Sequence, residues 1–195
     1  MKINKVLFEK SSSSIGNCPK NGFFEIAFIG RSNVGKSSIL NMLLNRKGIA
    51  KVSKKPGKTK LINFFFLNEK IYFVDLPGYG YSKLSKKNKL KISSITETYF
   101  KHRESLKEIF LLIDIRHEIQ IADLEFINFL KSIKRDFTIV FTKKDKIKDS
   151  LVKISCDDFL KSITNIYKPN KYFVSSSKSK YGREEILDYI GNMIS

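Results

Sequence analysis

The run Gly30-Arg31-Ser32-Asn33-Val34-Gly35-Lys36-Ser37 satisfies the pattern GxxxxGK[ST]. Glycines in such a loop let backbone N–H groups curl around phosphate oxygens, the lysine offsets their charge, and the Ser37 hydroxyl is a ligand for Mg²⁺. Further on, Asp75-Leu76-Pro77-Gly78 supplies an aspartate and, three positions later, a glycine. Asp75 suits the outer shell of that Mg²⁺, and the Gly78 N–H suits contact with a terminal phosphate, moving when the phosphate leaves. The run Thr142-Lys143-Lys144-Asp145 fits [NT]KxD. Its carboxylate can accept from the N1–H and the exocyclic amine of guanine, a pair that adenine does not offer, while the Lys143 stem packs along the ring. The three motifs in this order point to GTP, and Asp145 disfavours a P-loop kinase or ATPase.

Weaker signals surround these. Ser175, Ser176 and Ser177 follow the last apolar run and could support the guanine through backbone contacts, although serine runs often mean only a loop. Thr59 lies between the phosphate loop and Asp75, where a GTPase places the threonine that completes Mg²⁺ coordination; its neighbours Pro56 and Gly57 suit a mobile segment. Tyr79 stands where a Ras-type GTPase carries the glutamine that orients the attacking water. His102 and His117 have no acidic and nucleophilic partners that the sequence places beside them, and Phe64, Phe65 and Phe66 read as core strand rather than as a base-stacking platform.

A sheet with crossover helices must position these residues, because apolar runs of strand length alternate with helical periodicity from residue 23 onward. Strands are predicted near Phe23 to Ile29, Leu61 to Leu67, Ile71 to Asp75, Ile109 to Asp114, Phe137 to Thr142 and Tyr172 to Ser175. Helices are predicted around Lys36 to Leu44, Leu90 to Phe100, Ala122 to Ile133, Leu151 to Tyr167 and Arg183 to Ile194. Only Asn68, Glu69 and Lys70 separate the second and third strands, too few for a parallel crossover, so that pair should be antiparallel. The expected class is α/β in three layers: a six-stranded mixed sheet with one antiparallel strand, flanked by about five helices. Residues 1–22 read as a flexible lead-in and residues 23–195 as one nucleotide-binding domain.

The chain has 195 residues, enough to bury a core without disulfides or metals. It lacks an apolar signal segment and a run long enough to span a bilayer, so a cytoplasmic monomer without membrane insertion is expected. Cys18 and Cys156 are isolated and read as structural. Lys and Arg number 37 against 19 Asp and Glu, a formal charge of +18 that draws a protein toward phosphate backbones or anionic surfaces. Thirty-one of the cations are lysine, which an A- and T-rich genome also explains. Clusters at Lys51, Lys54, Lys55, Lys58 and Lys60 and at Lys83, Lys86, Lys87, Lys89 and Lys91 lie beside the presumed site, and favour RNA over a merely solvated surface.

Five stretches together resemble the EngB family of bacterial GTPases, in the family's order: EIAFIGRSNVGKSS, KPGKTKLINFF, YFVDLPGYGYSK, LLIDIRHEIQIADLEF and IVFTKKDK. The resemblance covers nearly the whole chain. It implies a P-loop fold, Mg²⁺-dependent GTP hydrolysis, and a part in assembly of the large ribosomal subunit, with rRNA or ribosomal proteins as partners, and in normal cell division and septation. By the same likeness GTP or GDP should touch Gly30 to Ser37; Gly57, Lys58, Thr59, Lys60 and Leu61; Asp75, Leu76, Pro77 and Gly78; Thr142, Lys143, Lys144 and Asp145; and Ser175 to Ser177, with Ser37 and Thr59 holding Mg²⁺. Ser175 departs from the family wording, which often has Phe there. The missing glutamine at Tyr79 is shared by the family, so catalysis would rest on Lys36, Thr59, Gly78 and Asn33. Asn33 occupies the position at which potassium-stimulated GTPases, which this loop resembles, place a K⁺ ligand; alternatively it shapes the loop through side-chain to backbone bonds. A GTP-operated switch with slow turnover, stimulated by a partner or by potassium, is the leading reading. The runner-up is an RNA- or ribosome-binding assembly module in which nucleotide is structural.

Overall fold

The computed structural model describes residues 1–50, 61–80, 86–169 and 171–194, and of residues 86–93 the backbone alone. In chain order the strands are β1 (Val6–Ser12), β2 (Phe24–Gly30), β3 (Ile62–Leu67), β4 (Ile71–Asp75), β5 (Leu106–Asp114), β6 (Thr138–Thr142) and β7 (Tyr172–Val174). The helices are α1 (Lys36–Leu43), α2 (Lys86–His102), α3 (Ile121–Ser132), α4 (Asp149–Ile163) and α5 (Arg183–Ile194). Among the described residues one sheet runs in the order β1-β3-β4-β2-β5-β6-β7.

β2 pairs in parallel with β4 and β5, β5 with β6, and β6 with β7, while β3 runs antiparallel to both β1 and β4. β3 is therefore the single reversed strand, as the short β3–β4 link requires. That link is a two-residue turn with Asn68 at φ 48° and Glu69 at φ 57°, and Lys70 N–H donating to the Leu67 carbonyl at 2.9 Å. Two successive left-handed residues twist a hairpin in the sense its strands need.

The sheet has seven strands, not six, and the addition corrects the reading of residues 1–22. Val6–Ser12 is an edge strand laid along β3, with Val6 opposite Leu67 and Ser12 opposite Ile62. Its pattern is hard to see in sequence because its only buried residue is Ser12, while Leu7 and Phe8 are about half exposed. Pairing with β3 holds it there, helped by Val6 against the core and the Phe8 ring 5.7 Å from that of Phe65. Asn68 adds a clamp: its side-chain oxygen accepts from Asn4 N–H at 2.8 Å and Lys5 N–H at 3.0 Å, and its amide donates to the Lys2 carbonyl at 2.7 Å.

Alternation along the parallel strands sends side chains to opposite faces, and both faces are covered, which is why these strands read as continuous apolar runs. Ile26, Phe28, Phe110 and Leu112 pack with Ile39, Leu40 and Leu43 of α1 and Ile186, Leu187 and Ile190 of α5. Ala27, Ile29, Leu111 and Ile113 pack on the other side with Tyr99 and Phe100 of α2, Ile127 and Leu130 of α3, and Phe159 and Ile163 of α4. Phe64 and Phe65 are buried, as expected of core. Both cysteines are buried, and burial pushes the Cys156 thiol up to about 12.

The parallel strands end on one edge of the sheet, at Gly30, Asp75, Asp114, Thr142 and Val174. After β2 the chain builds toward β1, and after β4 it crosses to β5 on the other side of β2. A crevice at such a reversal is where open α/β sheets bind ligands.

Candidate functional site

β2 delivers the chain to this edge at Gly30. A side chain there would bring its Cβ within 2.6 Å of the Leu112 carbonyl, so the close approach of β2 and β5 requires glycine. The loop then turns through two left-handed residues, Asn33 at φ 68° and Gly35 at φ 102°, and enters α1 at Lys36. No side chain caps α1, which leaves the N–H groups of its first turn and the positive end of its dipole for an anion. The Ser32 hydroxyl is buried in the loop without a hydrogen-bond partner among the described residues. Lys36, also buried, pairs with Asp75 at the end of β4.

The Asp75-to-Gly78 loop lies flush against this one. Leu76 N–H donates to the Phe28 carbonyl at 3.1 Å, and a Cβ on Gly78 would fall 2.6 Å from the Gly30 carbonyl. Arg31 and Tyr79 form a parallel bridge, with Ser32 N–H donating to the Tyr79 carbonyl at 3.2 Å and Tyr79 N–H to the Gly30 carbonyl at 3.3 Å. The Tyr79 side chain is committed elsewhere: its hydroxyl donates to Asp123 Oδ1 at 2.8 Å, and its ring stacks on Phe126 at 4.6 Å and 13°. Burial, then the Asp123 carboxylate, pushes its phenol well above the usual tyrosine range. Tyr79 therefore belongs to the α3 interface.

The Thr142-to-Asp145 segment braces the Gly30-to-Ser37 loop. The Thr142 hydroxyl donates to the Val34 carbonyl at 2.7 Å. Lys143, left-handed at φ 62°, places its ammonium 2.7 Å from the Asn33 carbonyl and 2.8 Å from Asp114 Oδ2. Asp114 in turn accepts Arg116 in a fork, Nε at 2.9 Å and Nη2 at 2.8 Å. Burial alone would raise the Asp114 carboxyl, but the bonds from Arg116 and Lys143 outweigh it and hold the group at about 2. Asp145 stands at the mouth with Oδ1 accepting from the Ser176 hydroxyl at 2.6 Å, a bond that lowers its pKa and fixes the plane of the carboxylate.

Ser175, Ser176 and Ser177 divide their roles. Ser175 is buried in the fold, its N–H donating to the Phe141 carbonyl at 2.7 Å and its hydroxyl to the Tyr181 carbonyl at 3.0 Å. Ser176 reaches the Asp145 carboxylate, and Ser177 follows it, partly exposed. Lys144 turns away from the motif, with its ammonium 2.7 Å from Asp149 and 4.8 Å from the centre of the Tyr181 ring. Leu61 is exposed just before β3, and Gly57, Lys58, Thr59 and Lys60 lie outside the described residues.

The sequence profile of a family described as 50S ribosome-binding GTPase matches residues 25–143. A probable GTP-binding protein EngB of Bacteroides thetaiotaomicron is 46% identical over 194 residues, covering 99% of this chain and 96% of the relative. Its counterpart in Flavobacterium johnsoniae is 47% identical over 192 residues, covering 97% and 91%. The chain belongs to the EngB family of GTP-binding proteins. A crystal structure of a probable GTP-binding protein engB superposes with a TM-score of 0.69 at 25% identity, over 87% of this chain and 98% of that one. A point variant of Aquifex aeolicus Era bound to GDP and aluminium fluoride superposes at 0.71 and 26%, over 88% of this chain and 56% of the longer Era chain. The EngB family is a GTPase family of the P-loop α/β fold, and guanine nucleotide is its ligand.

The residues present suit the Mg²⁺ usual in such an EngB-type site. Ser37 would offer a hydroxyl as a hard oxygen donor, Asp75, which is paired with Lys36, a carboxylate for the outer shell, and phosphate oxygens and water would complete the coordination. The ion would offset charge on the phosphates, and Lys36 stands ready to do the same from the loop. Sequence reasoning missed the parts played by Asp114, Arg116 and Asp123, although all three lie within the family-like stretch LLIDIRHEIQIADLEF. An aspartate ending an apolar strand beside the reading motif was the available signal.

Proposed function

We propose that this EngB-family protein is a Mg²⁺-dependent GTP switch that docks on the large ribosomal subunit or its precursor and leaves after hydrolysis, in the cytoplasm, in support of ribosome assembly and so of cell division and septation. The observation that carries the reading is the Lys143 ammonium bridging Asn33 of the phosphate loop and Asp114 beside the base reader. The segment read as base-recognising and the loop read as phosphate-binding are thereby tied to each other. The family description, 50S ribosome-binding GTPase, supports the partner. So does the charge of +18, with Lys144, Lys146, Lys178 and Lys180 near the guanine-reading end. No helix among the described residues is long and apolar enough to cross a membrane.

Intrinsic turnover is slow in this reading, because Tyr79, which stands where a Ras-type GTPase carries its water-orienting glutamine, is held by Asp123. Ras-like rates are on the order of 10⁻⁴ s⁻¹ without a partner. Stimulation by K⁺ belongs to this reading through Asn33, whose side chain is exposed on the phosphate loop at a left-handed position. Hydrolysis is expected to rise when KCl replaces NaCl and to lose that gain in Asn33→Ala. Equal rates in the two salts would remove potassium from the account.

The docking claim is tested by co-sedimentation with purified large subunits. Protein loaded with a non-hydrolysable GTP analogue is expected to pellet, with an association constant that falls steeply as salt rises, while the GDP form stays in the supernatant. Equal retention of both forms would favour the assembly module in which nucleotide is structural.

A further inference from the structure

We propose that Asp123 is a positioning residue for phosphate sensing: it seats the Asp75-to-Gly78 loop on the phosphate loop so that the Gly78 N–H meets the terminal phosphate. This rests on the reading of Gly78 as that sensor. Asp123 lies in the first turn of α3, buried, and sequence motifs assign it nothing. Its carboxylate gathers three donors, one from each of the two loops and one from the capping box of its own helix. Oδ1 accepts the Tyr79 hydroxyl at 2.8 Å; Oδ2 lies 3.2 Å from Arg31 Nε and accepts the Gln120 N–H at 3.2 Å. Arg31 is the residue after Gly30 in the phosphate loop, and Tyr79 is the residue after Gly78.

The same two residues already form the backbone bridge between the loops. Asp123 therefore holds by side chains what the bridge holds by main chain, and α3 carries the clamp. The Tyr79 ring also stacks on Phe126 of α3, and Gly80 lies within van der Waals reach of Ala122 at the start of the same helix.

GTP binding gains from Gly78 only when the loop is seated, whereas GDP has no terminal phosphate for Gly78 to meet. Loosening the seat lowers the competent fraction and so the affinity for GTP, leaving GDP nearly unchanged. The variant Tyr79→Phe removes one hydrogen bond and keeps the stack on Phe126. Its control is Tyr99→Phe, which removes a similar bond, 2.6 Å to Glu25 Oε2, at the far end of β2. Both variants should melt earlier by similar amounts. The ratio of affinities for a non-hydrolysable GTP analogue and GDP is expected to fall about fivefold to tenfold in Tyr79→Phe and in Asp123→Asn, and to stay at the wild-type value in Tyr99→Phe. An unchanged ratio in Tyr79→Phe and Asp123→Asn, with the Gly78 amide NMR resonance of the wild type still shifting between its GDP and analogue forms, would overturn the role of Asp123 alone. A Gly78 amide resonance at the same position in both wild-type forms would overturn the sensor reading beneath it.

Discussion

Replacing Asp145 by asparagine is expected to weaken GDP binding at least about a hundredfold while leaving the fold intact. The carboxylate is charged, it is held by Ser176, and it is partly exposed at the mouth of the site, so the change removes no core packing. Guanine offers it N1–H and the exocyclic amine, and each charge-assisted bond is worth about 1.5 to 3 kcal/mol. An asparagine keeps one acceptor and turns a donor toward the amine, so about 3 kcal/mol is lost, or two decades in affinity. Xanthosine diphosphate carries a carbonyl in place of that amine and should recover much of the loss on the variant. Direct titration of the two nucleotides checks both statements, and a variant that still prefers GDP would show that the base is read elsewhere.

The second large effect is on stability, at the opposite end of β2. Glu25 is wholly buried and accepts the Tyr99 hydroxyl at 2.6 Å and Arg103 Nε at 2.9 and 3.0 Å; Arg103 also donates to the Pro19 carbonyl. Removing one partner of a buried ion pair strands the other charge, at a cost of about 3 to 5 kcal/mol. Arg103→Ala should therefore lower the melting temperature by about 10 °C. Glu25→Gln combined with Arg103→Met, which leaves neither charge unpaired, should restore much of that loss. GDP affinity should be unchanged in the double variant, because the cluster begins the strand whose other end is Gly30. A melting curve for Arg103→Ala close to that of the wild type would mean that water reaches Glu25.

The phosphate and base motifs were legible in the sequence because their chemistry fixes residue types at short spacing: two glycines, a lysine and a hydroxyl in one short loop, an aspartate and a glycine in the next. The parallel strands were legible for a related reason, since burial on both faces leaves unbroken apolar runs such as Ile26 to Ile29. What escaped depends on contacts between distant segments. Asp123 meets Tyr79 across 44 positions, and its role follows from where α3 starts relative to the loops. Asp114 matters through Lys143, which follows a strand distant in the sequence but adjacent in the sheet. β1 escaped because an edge strand that pairs without burying an apolar face carries no alternation to detect. Tyr79 is the instructive case. Its identity showed that a catalytic glutamine is missing, but only the structure shows that its side chain is engaged with α3.

Titration calorimetry of the wild-type protein with GDP and then with ADP, in Mg²⁺, is the most direct trial of guanine recognition by this site. Heat consistent with one site per chain and at least about a hundredfold preference for GDP is the predicted outcome. Equal affinity for the two nucleotides would contradict it.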